Sequence, residues 1–169
     1  MAATPLSQDA REPRIWALLD EVPDPEIPVL SITDLGIVRH VRADGAGELV
    51  VGLTPTYSGC PATEAIRSAT RAALDAQGFT AVRIEEVLSP PWSSDWLSDR
   101  GRARLREFGI APPEAPVGSP RQLWRAPLVT CPRCGSRDSE RLSEFGSTPC
   151  KAHYRCNRCR EPFDYFKCI

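Results

Sequence analysis

Two CxxC pairs near the end of the chain are the residues best suited to carry chemistry. Cys131 and Cys134 form the first pair, Cys156 and Cys159 form the second, and 21 residues separate the two pairs. Each CxxC turn directs two thiolates at one point, so two such turns can supply the four sulfurs of a tetrahedral zinc site. The pattern predicts a zinc ribbon with a structural Zn²⁺, and thiolate tetrahedra also accept iron.

Three of the seven cysteines are left over: Cys60, Cys150 and Cys168. Each could be an inert buried thiol, because free cysteine packs as a small hydrophobe. Cys150, Cys168 or His153 could also replace one of the CxxC ligands, and the spacing alone leaves that alternative open.

Length and charge limit the class of protein. The chain has 169 residues, 41% of them hydrophobic, and a formal net charge of −1. This length fits one domain of about 100 residues with a small appended module. The near-zero charge argues against nucleic-acid binding by bulk electrostatics. Neither a signal peptide nor an apolar run of about 18 residues is present, which excludes membrane partners and predicts a cytoplasmic protein.

The elements expected around these cysteines fall into two domains. Five prolines lie between Ala111 and Pro127, and proline at that density indicates a semi-stiff linker. The predicted division is therefore an α/β domain over 1–110, a linker over 111–127 and a four-cysteine zinc ribbon over 128–169.

The first domain is predicted to be α/β, of the α+β kind, with the order helix, strand, strand, helix, strand, helix. Hydrophobic periodicity and turn signals set its elements. The predicted helices span 12–21, 61–77 and 97–108, and the predicted strands span 36–43, 48–54 and 81–88. The Asp44–Gly47 stretch has turn chemistry, so the first two strands should form a hairpin.

Cys60 immediately precedes the second predicted helix. Pro61 suits the first helical position, which would make Cys60 the N-cap. Unpaired backbone N–H groups and the helix dipole would stabilise a thiolate there, favouring a metal ligand or a nucleophile. The alternative is a cysteine that merely replaces a serine cap.

Three motifs in order resemble a family of small iron–sulfur assembly factors, which includes the bacterial SufT proteins and the eukaryotic cytosolic iron–sulfur targeting factors. They are DPEIP at Asp24–Pro28, DLGIV at Asp34–Val38 and TPTYSGCPA at Thr54–Ala62. The C-terminal run from Phe145 to Cys168 is similar to a narrower family, the accessory subunits encoded with the bacterial phenylacetyl-CoA epoxidase.

The resemblance implies an accessory role and no catalysis of epoxidation. The expected partners are the oxygenase subunits of the epoxidase, its [2Fe–2S] flavin reductase, or both. The factor would mature an iron–sulfur or di-iron partner. In agreement, the chain has no Glu-x-x-His di-iron motif and no dinucleotide fingerprint.

The leftover cysteines are the candidate ligands of a transient iron–sulfur cluster or iron ion, by the same resemblance: Cys60, Cys150 and Cys168. The site could be completed in one chain or shared across a homodimer. Asp24 and Glu26 could support the Cys60 loop or offer oxygen ligands, and the alternative, favoured by the frequency of Asx-Pro turns, is that they orient a turn.

Three functions are therefore compared: a maturation factor, a structural or regulatory subunit of the epoxidase, and a nucleic-acid-binding ribbon. The third would need aromatic side chains that stack on bases. The aromatic residues around the second CxxC pair are instead predicted to form the core of the ribbon. They are Tyr154, Phe163, Tyr165 and Phe166. The maturation factor is the preferred hypothesis, and a nucleic-acid partner is the least favoured.

Overall fold

The computed structural model describes residues 8–57, 59–114 and 129–167. The chain divides into two compact units, with the boundary between Pro91 and Trp92. The helices are α1 Gln8–Leu19, α2 Ala62–Ala76 and α3 Asp99–Phe108, with a 3₁₀ turn at Ser94–Trp96. The strands are β1 Val38–Ala43, β2 Leu49–Leu53, β3 Arg83–Glu86, β4 Ile110–Ala111, β5 Ser139–Ser143, β6 Lys151–Cys156 and β7 Pro162–Phe166. The α+β class and the predicted order of the first six elements are confirmed.

The first unit is built on a three-stranded sheet in the order β1-β2-β3. The strands β1 and β2 are an antiparallel hairpin, as predicted, and β3 lies parallel to β2. Asp44 explains the hairpin turn, because its Oδ1 accepts the backbone N–H groups of Ala46 and Glu48. Gly47, with a φ of 82°, completes that turn in the left-handed region.

The helix α2 connects β2 to β3 and buries one face. Ile66, Thr70 and Leu74 recur every four residues along it and are all buried. Such a stripe is what a helix on one face of a sheet requires. The helix α1 packs against both α2 and β1, and its Ile15 and Leu19 are fully buried.

The second unit carries a four-stranded sheet in the order β4-β7-β6-β5. The strands β5, β6 and β7 pair antiparallel, and β4 pairs parallel with β7. The aromatic residues near the second CxxC pair form the buried core, as predicted. Tyr154 stacks on Phe163 and meets Tyr165 edge-on, with ring centroids 6.0 and 5.6 Å apart.

The helix α3 belongs to this second unit, although its sequence position had placed it in the first domain. Ser98 caps its start by accepting the Gly101 N–H at 2.9 Å, and Gly109, with a φ of 90°, ends it. The chain then enters β4 directly. The predicted linker stays a prediction, since residues 115–127 lie outside the described ranges.

Before α3, Trp92 is buried and packs edge-on against Phe166 of β7, so it is a core residue of the second unit. None of the helices in the described ranges is long and apolar enough to span a bilayer.

Candidate functional site

The four CxxC cysteines converge on one point. Their sulfur atoms all lie within 4.8 Å of one another. The Sγ atoms of Cys131 and Cys159 are 3.8 Å apart, and those of Cys134 and Cys156 are 3.5 Å apart. A regular tetrahedron with Zn–S bonds of about 2.3 Å has sulfur–sulfur edges of roughly 3.8 Å. The four sulfurs therefore form a metal-binding group whose size fits a zinc ion.

The two CxxC turns have matching backbone geometry. The N–H of Gly135 donates to the Cys131 carbonyl, and the N–H of Arg160 donates to the Cys156 carbonyl, each at 2.9 Å. Gly135 and Arg160 both adopt a left-handed conformation, with φ values of 71° and 66°. This repeated turn brings each pair of thiols to the same side of its loop, which is how two short segments build one site.

The electrostatics of the four thiols favour a bound cation. The backbone N–H of Cys159, with that of Arg158, lowers the pKa of Cys156 to about 7. The backbone N–H of Glu161 lowers the pKa of Cys159, but burial and the neighbouring thiols outweigh it and raise that pKa to about 12. Four thiolates this close repel one another unless a metal ion neutralises them. The donor set thus suits a thiophilic divalent metal.

Neither Cys150 nor His153 belongs to this group among the described residues. Cys150 is buried, and its sulfur lies 3.0 Å from the Thr148 hydroxyl. His153 instead places Nδ1 3.1 Å from the Asp164 carboxylate. Cys168 lies outside the described residues. The roles of Cys150 and Cys168 toward a cluster stay predictions.

Cys60 is not the N-cap of α2, and that prediction was wrong by one residue. Pro61 holds the N-cap position with φ −66° and ψ −21°, and no side chain caps the helix. Pro61 already has helical φ and ψ but no N–H to donate, so the regular helix begins one residue later, at Ala62. Cys60 lies in the preceding turn, half-buried, with the Thr56 hydroxyl 4.0 Å from its sulfur.

Asp24 and Glu26 form a tight turn in the same unit. The buried carboxylate of Asp24 accepts the backbone N–H groups of Glu26 at 2.9 Å and Ile27 at 2.7 Å. These bonds support the interpretation of Asp24 as a turn-orienting residue. A contribution of either carboxylate to the Cys60 loop stays a prediction.

One charged cluster, around Glu85, was not predicted from the sequence. Glu85 on β3 pairs with His40, Arg42 and Arg83, at 3.0, 3.2 and 2.9 Å. Arg83 shares β3 with Glu85, but His40 and Arg42 come from β1, so no sequence spacing marks their contacts with Glu85. Alternation in β1 and β3 would have shown only that these residues share one face of the sheet.

Fold and site together define an iron–sulfur cluster assembly domain joined to a four-cysteine zinc ribbon. Residues 12–85 match the family model described as iron-sulfur cluster assembly protein, and residues 116–167 match the PaaD zinc beta ribbon domain. The chain belongs to the PaaD family, which confirms the predicted resemblance.

Individual relatives agree with this membership. The chain is 57% identical, over 92% of both sequences, to an Escherichia coli K12 protein provisionally named as one of the subunits of 1,2-phenylacetyl-CoA epoxidase. It is 33% identical to a Porphyromonas gingivalis Fe-S protein maturation auxiliary factor, over 56% of this chain and 90% of that one. A crystal structure of a domain of unknown function from Bacillus anthracis is 32% identical with a TM-score of 0.52, covering 58% of this chain and 93% of that one.

Proposed function

We propose that the chain is a cytoplasmic, non-catalytic accessory factor that delivers an iron–sulfur cluster or iron to the phenylacetyl-CoA epoxidase system. The recipient would be an oxygenase subunit or the [2Fe–2S] flavin reductase. The observation that carries the proposal is the 57% identity, across nearly the full length, to a protein named as a component of that epoxidase. The match of residues 12–85 to the iron–sulfur assembly family supports the maturation role.

In this proposal the four-cysteine group holds a resident Zn²⁺ and the cargo binds elsewhere. Cys131, Cys134, Cys156 and Cys159 would hold that ion, because four thiolates complete a tetrahedral site and leave no open position for cargo. The resident metal stabilises the ribbon, whose core is small. A cargo ligand must therefore come from the remaining cysteines.

Cys60 is the preferred cargo ligand. It is half-buried in a turn at the start of α2, so its thiol is accessible to a cluster or a partner. Cys150 is less suited, because its thiol is buried beside the Thr148 hydroxyl. A single cysteine would hold a cluster weakly, which is what a carrier that must release its cargo requires. Further ligands could come from Cys150, Cys168 or a second copy of the chain.

The test is the metal and sulfide content of protein purified without oxygen, with a visible spectrum, for the wild type and Cys60→Ala. We expect about one zinc per chain in both forms, and iron, sulfide and brown colour in the wild type alone. Cys150→Ala is the matched control and should keep more of the iron than Cys60→Ala. A wild type that takes up no iron after reconstitution with iron and sulfide would contradict the carrier role.

The second candidate function is a permanent structural or regulatory subunit of the epoxidase. The name of the Escherichia coli relative, as a component of the enzyme, favours it. It predicts stoichiometric co-purification with the oxygenase and full epoxidase activity with Cys60→Ala. A nucleic-acid-binding ribbon is less supported, because the aromatic residues that would stack on bases are buried in the core.

A further inference from the structure

The exposed arginines of the ribbon fall into two groups. Three are ion-paired on the body of the ribbon: Arg137 with Glu114, Arg141 with Glu144, and Arg155 with Glu140. The other three are Arg133, Arg158 and Arg160. Among the described residues, no carboxylate or other side chain pairs with any of these three guanidinium groups.

The three unpaired arginines gather at the metal end of the ribbon. Arg133 precedes Cys134, while Arg158 and Arg160 flank Cys159. Neighbouring Cα atoms are about 3.8 Å apart along the chain, and the cysteine sulfurs all lie within 4.8 Å of one another. The two CxxC turns therefore place the backbones of three exposed, unpaired arginines beside one four-sulfur group; we call Arg133, Arg158 and Arg160 the knuckle patch.

Arg160 occupies a position where glycine would be the default. Its φ of 66° matches the 71° of Gly135 at the equivalent place in the first CxxC turn. A residue with a Cβ is disfavoured in this left-handed region. The backbone of the turn does not need an arginine there, so the exposed guanidinium needs a separate explanation.

Stabilisation of the thiolates does not account for these arginines. Backbone N–H groups already donate hydrogen bonds to two of the sulfurs. The N–H groups of Cys159 and Arg158 donate to Cys156, and the N–H of Glu161 donates to Cys159. Within the described ranges, none of the three unpaired guanidiniums donates to a cysteine sulfur. Their charge is available to a partner.

We propose that the knuckle patch is the surface by which the chain docks onto a carboxylate-rich face of a protein partner, an inference that rests on the proposed function. Unpaired arginines make short, charge-assisted and often bidentate bonds to carboxylates. Nucleic acid fits less well, because Tyr154, Phe163, Tyr165 and Phe166 are buried, and the exposed Phe145 ring is already in contact with the Lys167 ammonium.

Two triple variants of the full-length chain test the patch. Arg133→Gln with Arg158→Gln and Arg160→Gln removes it, and Arg137→Gln with Arg141→Gln and Arg155→Gln is the control with the same change in net charge. Association with the purified epoxidase oxygenase and reductase proteins is measured between about 50 and 300 mM NaCl. We expect the patch variant to associate about tenfold more slowly at low salt, with the control near the wild type.

Metal content is measured for each variant, and a lysine triple variant at the three patch positions should regain most of the association rate if the ribbon is intact. Equally slow association of both glutamine variants, or unchanged association of both, would overturn the proposal that the knuckle patch is the docking surface. So would salt-dependent binding of single-stranded DNA that the patch variant alone loses. Cys60→Ala should dock normally and fail in iron delivery, so a failure of the carrier function and a failure of the patch give different results.

Discussion

The imidazole of His40 occupies the space in which a side chain on Gly52 would begin. A Cβ placed on Gly52 would lie 2.4 Å from Cε1 of His40, and the two residues face each other across β1 and β2. Gly52 also faces Glu85 on β3, whose carboxylate lies 3.0 Å from His40 Nε2. Glycine at the central strand therefore allows the imidazole to cross the sheet and reach the third strand.

Gly52→Ala should force His40 out of this position. Because an imidazole can rotate away, we expect the free energy of unfolding to fall by about 1 kcal/mol, at the low end for overpacking. The measurement is urea unfolding of the single variants Gly52→Ala and His40→Ala and of the double variant. The cost of the alanine should largely vanish when His40 is already absent. An equal cost in both backgrounds would show that the imidazole is not the obstacle.

Acid should weaken the same sheet. Burial raises the pKa of Glu85, but hydrogen bonds from His40 and Arg83 and the charge of Arg42 outweigh it and hold that pKa below the ordinary 4.5. The unfolded chain then binds a proton more readily, so the stability contributed by Glu85 is complete above pH 4.5 and declines as the pH falls through its lower folded value. Urea midpoints at several pH values should decline less steeply for Glu85→Gln than for the wild type. Parallel curves would contradict this linkage.

The cysteines of the four-cysteine group and Cys150 should respond differently to substitution by serine. Cys131 and Cys150 are both buried, but only Cys131 has its sulfur in the four-sulfur group. Cys131→Ser should reduce zinc from about one per chain to near zero and disorder the ribbon. Cys150→Ser should keep the zinc. Loss of zinc in Cys150→Ser alone would place Cys150 in the site and exclude the CxxC quartet.

The start of α3 depends on the Ser98 hydroxyl. It accepts the Gly101 N–H at 2.9 Å, so Ser98→Ala should lower the free energy of unfolding of the second unit by about 1 kcal/mol. Ser98→Asn should restore most of this loss, because asparagine is an equally good cap. Thermal unfolding of the zinc-loaded protein measures both variants, and an asparagine variant as unstable as the alanine one would argue against capping.

Local patterns predicted those features that local chemistry determines. The hairpin follows from Asp44 and the glycine turn, and the quartet follows from two CxxC turns. The ion pair of His40 with Glu85 could not be read in this way, because the residues are 45 positions apart. Cys60 was predicted as the N-cap because proline suits the first helical position, but the helix begins at Ala62 and Pro61 holds the N-cap position.

The strand β4 was also missed, since two residues carry no periodicity. Its existence depends on β7, whose Asp164 and Tyr165 pair with Ile110 and Ala111.

The pairing of β4 with β7 has a consequence for biosynthesis. The ribosome makes β4 well before β7, and the second CxxC pair also comes late in the chain. The second unit therefore cannot complete its sheet until Phe166 has left the ribosome, nor its metal site until Cys159 has, whereas all three strands of the first unit are made by Glu86. In a nascent chain the first unit can thus already be folded while the second unit still lacks its last strand, β7.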